Sequence, residues 1–174
     1  GDNLSSIAGR YGVTPGQVAE ANTLKTGSKL KIGQRLLVRY AHLIPADLAD
    51  GITINLPQRL LFLTEQGAVS AVYALGLGKP SWPTPVADWK IVNKTEGKTW
   101  IVPKSIQAEM AREGKAVKTR VPPGPDNPLG GYWLGLSLNG YGIHGTIAPS
   151  SIYHFQSHGC IRMAPGDIDA LFAR

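Results

Sequence analysis

The residues best suited to chemistry fall in two short runs, Ile143-His144-Gly145-Thr146 and Ser157-His158-Gly159-Cys160-Ile161-Arg162. Cys160 is the single cysteine in the chain, so it has no intramolecular disulfide partner. A thiol titrates near ~8.5 in a peptide, and an imidazole that takes its proton makes it a nucleophile. His144 is the candidate for that imidazole, provided that a strand, a loop and a second strand bring the two runs together. Gly145 and Gly159 let the main chain approach a substrate closely. Amides near Gly159 and Cys160 would cradle an oxyanion, and Arg162 would hold a carboxylate through two hydrogen bonds.

The same residue types allow two other readings. A lone cysteine also serves as a small buried hydrophobe, and a histidine at a strand end as a structural group. His154 and His158, four apart, with Cys160 and His144, are ligand types suited to zinc. On a helix both imidazoles would share a face, but Phe155-Gln156-Ser157 followed by Gly159 does not read as a helix, and a second cysteine is lacking. From residue types alone, catalysis, packing and metal binding all stay open.

The elements that must position these runs read mainly as β. The 21 glycines and 13 prolines imply many turns. Ile52 to Leu56 alternates, and Arg59–Glu65 and Ala68–Gly78 flank the turn Glu65-Gln66-Gly67. A further strand is expected over Val86–Lys94, and a helix over Ser105–Glu113 that Gly114 ends. Val121 to Pro128 is too rich in proline for a regular element. Asn139-Gly140 joins strands at Tyr132–Leu138 and Tyr141–His144, and Pro165–Phe172 closes as a short helix. Earlier in the chain, Asp2 or Asn3 caps a helix that Gly12 ends, and Thr14-Pro15-Gly16-Gln17 opens a second helix with a capping box. Leu30 to Val38 then reads as a turn and a strand.

Composition narrows the class. With 43% hydrophobic and 17% charged residues, the 174-residue chain is neither disordered nor fibrous. No apolar run is long enough for a membrane span. The net charge of +6 favours polyanionic partners in general, but it is dispersed, and no nucleic-acid fold signature accompanies it, so no nucleic-acid partner is expected. Starting at Gly1 without a signal peptide, the sequence reads as a mature or trimmed fragment.

His144-Gly145-Thr146 followed by Ser157-His158-Gly159-Cys160-Ile161-Arg162 resembles the signature of L,D-transpeptidases of the YkuD/ErfK type. The resemblance extends over about residues 51–172. Ile54-Asn55-Leu56-Pro57 through Arg59-Leu60 is similar to the family's first strand pair, and Trp82-Pro83-Thr84-Pro85 to its W-x-T-P stretch. Val121 to Gly130 resembles the proline-rich loop of the Gram-negative, lipoprotein-attaching branch. Three features depart from the pattern: Ala87 where glycine is usual, the imidazole of His154, and an end at Arg174 where a closing strand is expected.

The resemblance implies a β-sandwich or barrel catalytic domain with short helices. It assigns Cys160 as nucleophile and His144 as base, with Gly145, His158 and Gly159 completing the catalytic set. Arg162, Ser157, Thr146 and Trp82 become the substrate-binding candidates. The implied reaction releases D-alanine from a peptidoglycan tetrapeptide stem through a thioester, with no cofactor and no metal. The acceptor is another stem, giving a 3-3 cross-link, or a lysine of an envelope lipoprotein. With water as acceptor the same site would be an L,D-carboxypeptidase, and a catalytically idle wall-binding protein is the remaining alternative. Carbapenems are implied as covalent inhibitors, and the periplasm or cell envelope as location.

Gly1 to Ala8, Tyr11-Gly12-Val13, Asn22 and Leu30-Lys31-Ile32-Gly33-Gln34 resemble a LysM module, a βααβ unit that binds glycans containing N-acetylglucosamine. The strand that would precede Gly1 is absent from the match. The expected organisation is therefore a partial LysM-like module at 1–39, a linker at 40–50 containing Pro45, and the catalytic domain at 51–174.

Overall fold

The computed structural model describes residues 2–11, 13–39, 44, 46 and 48–174. The expected helix stop at Gly12 and the linker residues Tyr40 and Pro45 lie outside them. The chain divides into two compact units, Gly1–Leu48 and Ala49–Arg174.

The small unit is built on α1 (Leu4–Tyr11) and α2 (Pro15–Ala21). Asn3 starts the first helix: its Oδ1 accepts from the Ser6 amide at 2.8 Å. Thr14 starts the second, its Oγ1 accepting from the Gln17 amide while the Gln17 side chain accepts from the Thr14 amide. Each cap satisfies helix-terminal donors that have no partner within the helix. Leu4, Ala8, Val18 and Ala19 form the buried core, with Ile7, Leu24 and Leu36 packed against it. The strand expected before Val38 is not formed. A strand needs a ladder partner, and the main chain of 34–39 has none among the described residues. Asn22 takes the place of one: its Oδ1 accepts from the Leu37 amide and its Nδ2 donates to the Leu37 carbonyl, both at 2.7 Å.

The large unit begins with the meander β1 (Gly51–Asn55), β2 (Leu60–Glu65) and β3 (Ala68–Gly78). Then follow β4 (Ile91–Glu96), β5 (Trp100–Ile101), α3 (Lys104–Arg112), β6 (Arg120–Val121), β7 (Tyr132–Leu136) and β8 (Gly142–His144). The chain continues through β9 (Phe155–Ser157) and β10 (Ile161–Met163) to α4 (Pro165–Phe172). The main sheet runs β1-β2-β3-β10-β8-β7-β4, with β9 paired to β3, while β5 and β6 form a ladder of their own. The sheet curls around a core that includes Leu61, Leu75, Leu134, Ile143, Ile161 and Met163, and α4 buries Ile168 and Leu171 against it.

Two expectations shift. The strand expected from Val86 starts only at Ile91, because its partner β7 ends at Leu136, the residue opposite Ile91. Val121, expected in an irregular stretch, sits in the two-residue strand β6 opposite Trp100.

Candidate active site

The two chemical runs meet because β8 and β10 are parallel neighbours. Ile161 lies opposite Ile143, and Arg162 opposite His144. A parallel pair needs a crossover, and residues 145–160 supply it, returning the chain through β9. Cys160 is the last residue before β10 and joins His144, Arg162, His158 and Tyr141 in lining a cleft of about 760 Å³.

His144 is buried, with its ring stacked on Trp133 at 5.8 Å between centroids. Its Nδ1 lies 2.6 Å from the Gly145 carbonyl oxygen. A carbonyl only accepts, so Nδ1 carries the ring proton and Nε2 keeps its lone pair. Burial pushes the imidazole pKa down to about 4, outweighing the help from the Gly145 carbonyl. The ring is therefore neutral at working pH and able to accept a proton at Nε2. Burial likewise pushes the Cys160 thiol above its usual range, and Sγ is directed at the Gly140 carbonyl, 3.6 Å away. Both groups thus rest uncharged, one as a thiol and the other as a neutral imidazole.

The loop carrying Cys160 is shaped from within. The Ser157 hydroxyl donates to the Cys160 carbonyl at 2.6 Å and accepts from the Gly159 amide at 3.2 Å. Gly159 has φ +99, a left-handed region that disfavours side chains, and a Cβ there would come within 2.7 Å of Tyr141. On the other flank Gly130 (φ +67) presses against Gly145, and a Cβ on it would meet the Gly145 main chain at 2.9 Å. That contact seats the end of the proline-rich segment beside Gly145, the neighbour of His144.

The geometry places the other three residues expected in substrate binding as follows. Ser157 touches the cleft, but its hydroxyl is engaged inside the loop. Thr146 is buried, and its Oγ1 accepts from the Ala148 amide, so it closes a turn. Trp82 packs on the His158 ring at 4.7 Å and on the Val102–Ile106–Val121 cluster, and is not among the residues lining the cleft. Of the amides expected to hold an oxyanion, that of Gly159 is already given to Ser157. Arg162, by contrast, lines the cleft and makes no ion pair among the described residues.

His158 Nε2 contacts the Glu109 carboxylate, which also holds Lys79. Neither partner is visible in sequence, since residues so far apart meet only through the fold. No group of three His, Cys, Asp or Glu among the described residues is arranged to hold a metal ion. His154 is exposed just ahead of β9, and β9 is a strand, so the helical face that a zinc site would need does not exist.

The curled sheet thus carries a partly buried thiol and a buried, carbonyl-oriented imidazole on one cleft. Residues 49–174 match the L,D-transpeptidase catalytic domain and residues 1–39 the LysM domain, and the chain belongs to the L,D-transpeptidase family. It is 33% identical over 172 residues to the probable L,D-transpeptidase ErfK/SrfK of Salmonella typhimurium, covering 97% of this chain and 55% of that protein. It is 32% identical to the putative L,D-transpeptidase YkuD of Bacillus licheniformis, covering 97% and 85% respectively. The chain spans about half the length of the enterobacterial relatives. Among solved structures, the Ldtfm–avibactam carbamoyl enzyme superposes with a TM-score of 0.55 at 22% identity, covering 71% of this chain and 44% of that one. The catalytic domain of the E. faecium L,D-transpeptidase acylated by ertapenem gives 0.52 at 24%, covering 74% and 92%. These two likenesses carry the fold.

Proposed function

We propose that this chain is a cysteine-dependent L,D-transpeptidase acting on peptidoglycan stem peptides. The observation that carries the reading is the parallel β8–β10 pair, which sets Cys160 and a neutral, Nδ1-anchored His144 on one cleft. His144 Nε2 takes the thiol proton as Sγ attacks the carbonyl between the L-centre of meso-diaminopimelate and the terminal D-alanine. The Cys160 and His158 amides receive the oxyanion. Collapse of the intermediate breaks the C–N bond, His144 returns the proton to the departing D-alanine amine, and a thioester remains on Cys160. An acceptor amine then attacks, His144 takes its proton, and the thiol is restored. Arg162, half-buried and without an acidic partner among the described residues, binds a stem carboxylate.

The acceptor is another stem, giving a 3-3 cross-link, or a lysine of an envelope lipoprotein, a reading supported by the proline-rich segment over Val121–Gly130. The LysM-like unit holds the glycan strand, which places the enzyme in the cell envelope. Among the described residues, no helix is long and apolar enough to cross a membrane. Acylation of a fold relative by ertapenem supports carbapenems as inhibitors. Incubation with tetrapeptide-stem muropeptides, followed by mass analysis, tests the reading. Cross-linked products that lack one D-alanine are expected; loss of D-alanine alone would make the enzyme a carboxypeptidase, and no change would leave only a wall-binding role.

A further inference from the structure

Helix α3 and the β5–β6 ladder form a flap with a small core of its own. Val102, Ile106 and Val121 are buried there, with Trp82, Trp100 and Met110 against them. None of these residues belongs to the cluster that holds the main sheet together. The flap nevertheless walls the cleft through Trp100, Ile101, Pro103, Ile106 and Met110, while Ser157, His158 and Cys160 line it from the nucleophile loop. Walls with separate cores need a link if the cleft is to keep its shape.

Glu109 is placed to be that link. It projects from α3, receives the Lys79 ammonium on Oε1 and contacts His158 Nε2 through Oε2. Lys79 directly follows β3, and His158 stands two residues before the nucleophile. The three side chains are only 26%, 18% and 28% exposed, in the order Lys79, Glu109, His158. A carboxylate accepts only, so His158 Nε2 must carry the proton it donates. Lys79 Nζ, 3.3 Å from the same nitrogen, cannot then donate to it, and its charge serves the carboxylate. The His158 ring is caught between this carboxylate and Trp82. The hydrogen bonds from Lys79 and His158 hold the Glu109 carboxyl at about 2, so it is ionised throughout the working range.

We infer that Glu109 is a positioning residue: by bridging Lys79 and His158 it latches the flap onto the nucleophile loop and fixes the main chain at 158–160 against which the thiol reacts. The inference rests on the acyl-transfer reading of the cleft and adds to it a residue that does not touch the substrate. Fixing the loop matters most for a step that builds an oxyanion, and little for simple alkylation of the thiol.

The test uses the full chain with Glu109→Gln, His158→Gln and the double variant. Meropenem acylation of Cys160 is followed by intact mass, iodoacetamide labelling reports bare thiol reactivity, and melting reports the fold. Glu109→Gln should slow acylation by about tenfold or more while changing iodoacetamide labelling by less than about twofold. The double variant should be no slower than His158→Gln alone, because a residue acting through another adds nothing once that one is gone. Acylation at the wild-type rate in Glu109→Gln, or losses that multiply in the double variant, would overturn the inference. So would a parallel fall with both reagents accompanied by a lower melting temperature, which marks a merely structural residue. Nitrogen-15 spectra of the His158 ring give a readout independent of turnover: an Nε2-bound proton signal should be present in the wild type and lost in a further variant, Glu109→Ala, which keeps no acceptor, and its persistence would overturn the latch. Because the ring signal is read on unreacted protein, absence of wild-type acylation would count against the acyl-transfer reading while the ring signal still decides the latch.

Discussion

At the scale of single residues, the site combines a thiol that burial keeps protonated with an imidazole that burial keeps neutral. Cys160→Ala should abolish formation of cross-linked muropeptides and leave the melting temperature within a few degrees of wild type, since a small residue replaces a small one. Residual turnover measured by product mass would remove Cys160 from its role. His144→Ala should slow iodoacetamide labelling of Cys160 at neutral pH far more than His158→Ala does, because His158 is tied to Glu109. An equal or larger effect at His158 would reverse the assignment of the base. The low pKa of His144 also ties stability to pH. The unfolded chain takes up this proton near ~6.5, whereas the folded protein resists it down to about 4. The contribution of His144 is therefore complete above the unfolded value and fades as pH falls between the two, by about 3 kcal/mol in all. Denaturant titrations at neutral pH and near pH 4.5 should show this slope in the wild type, and His144→Gln should flatten it. The paired Glu109 carboxylate loses its own contribution only at lower pH, on the way down to about 2.

At the scale of elements, the flap and the proline-rich segment hang on Asn127. Its side chain is fully buried and donates to the carbonyls of Lys98, Val121 and Pro122, while its Oδ1 accepts from the Leu129 amide. Asn127→Leu would leave these groups unpaired, and a loss of about 2–3 kcal/mol is expected in chemical denaturation; an unchanged midpoint would show that water replaces the side chain. The sequence made some elements plain and hid others, for physical reasons. The hairpins of β2–β3 and β7–β8 and the helices α3 and α4 carry local signals, namely apolar runs around turn glycines, Gly114 just past the end of α3 and Pro165 at the start of α4. β9 and β10 are three residues each, too short for any period to register, and their partners lie far away in the chain. The site divides along the same line. Cys160, His144 and Arg162 stand in a local motif, whereas Glu109, Lys79 and Asn127 acquire their roles only when distant segments meet. Ser157 and Thr146 sit inside that motif, but their hydroxyls turn inward to the loop.

At the scale of the whole molecule, the two units have separate cores: Leu4, Ala8, Val18 and Ala19 in the small one, and the curled sheet's interior with the flap's own cluster in the large one. Val18→Asp places an uncompensated carboxylate in the smaller core. It should weaken retention of the full chain on insoluble peptidoglycan while leaving acylation of Cys160 by meropenem within about twofold. Loss of both would mean that the units do not act separately. The parallel pairing of β8 with β10 bears on how the enzyme is made. Parallel contacts across a crossover form late, because the intervening loop must close before any pairing offsets its lost entropy. Until then Cys160 stands in water as an ordinary thiol, untouched by the burial that raises its pKa. Its dulled reactivity toward a brief pulse of alkylating reagent during refolding therefore becomes a clock, marking the moment at which the last strand slots into the centre of the sheet.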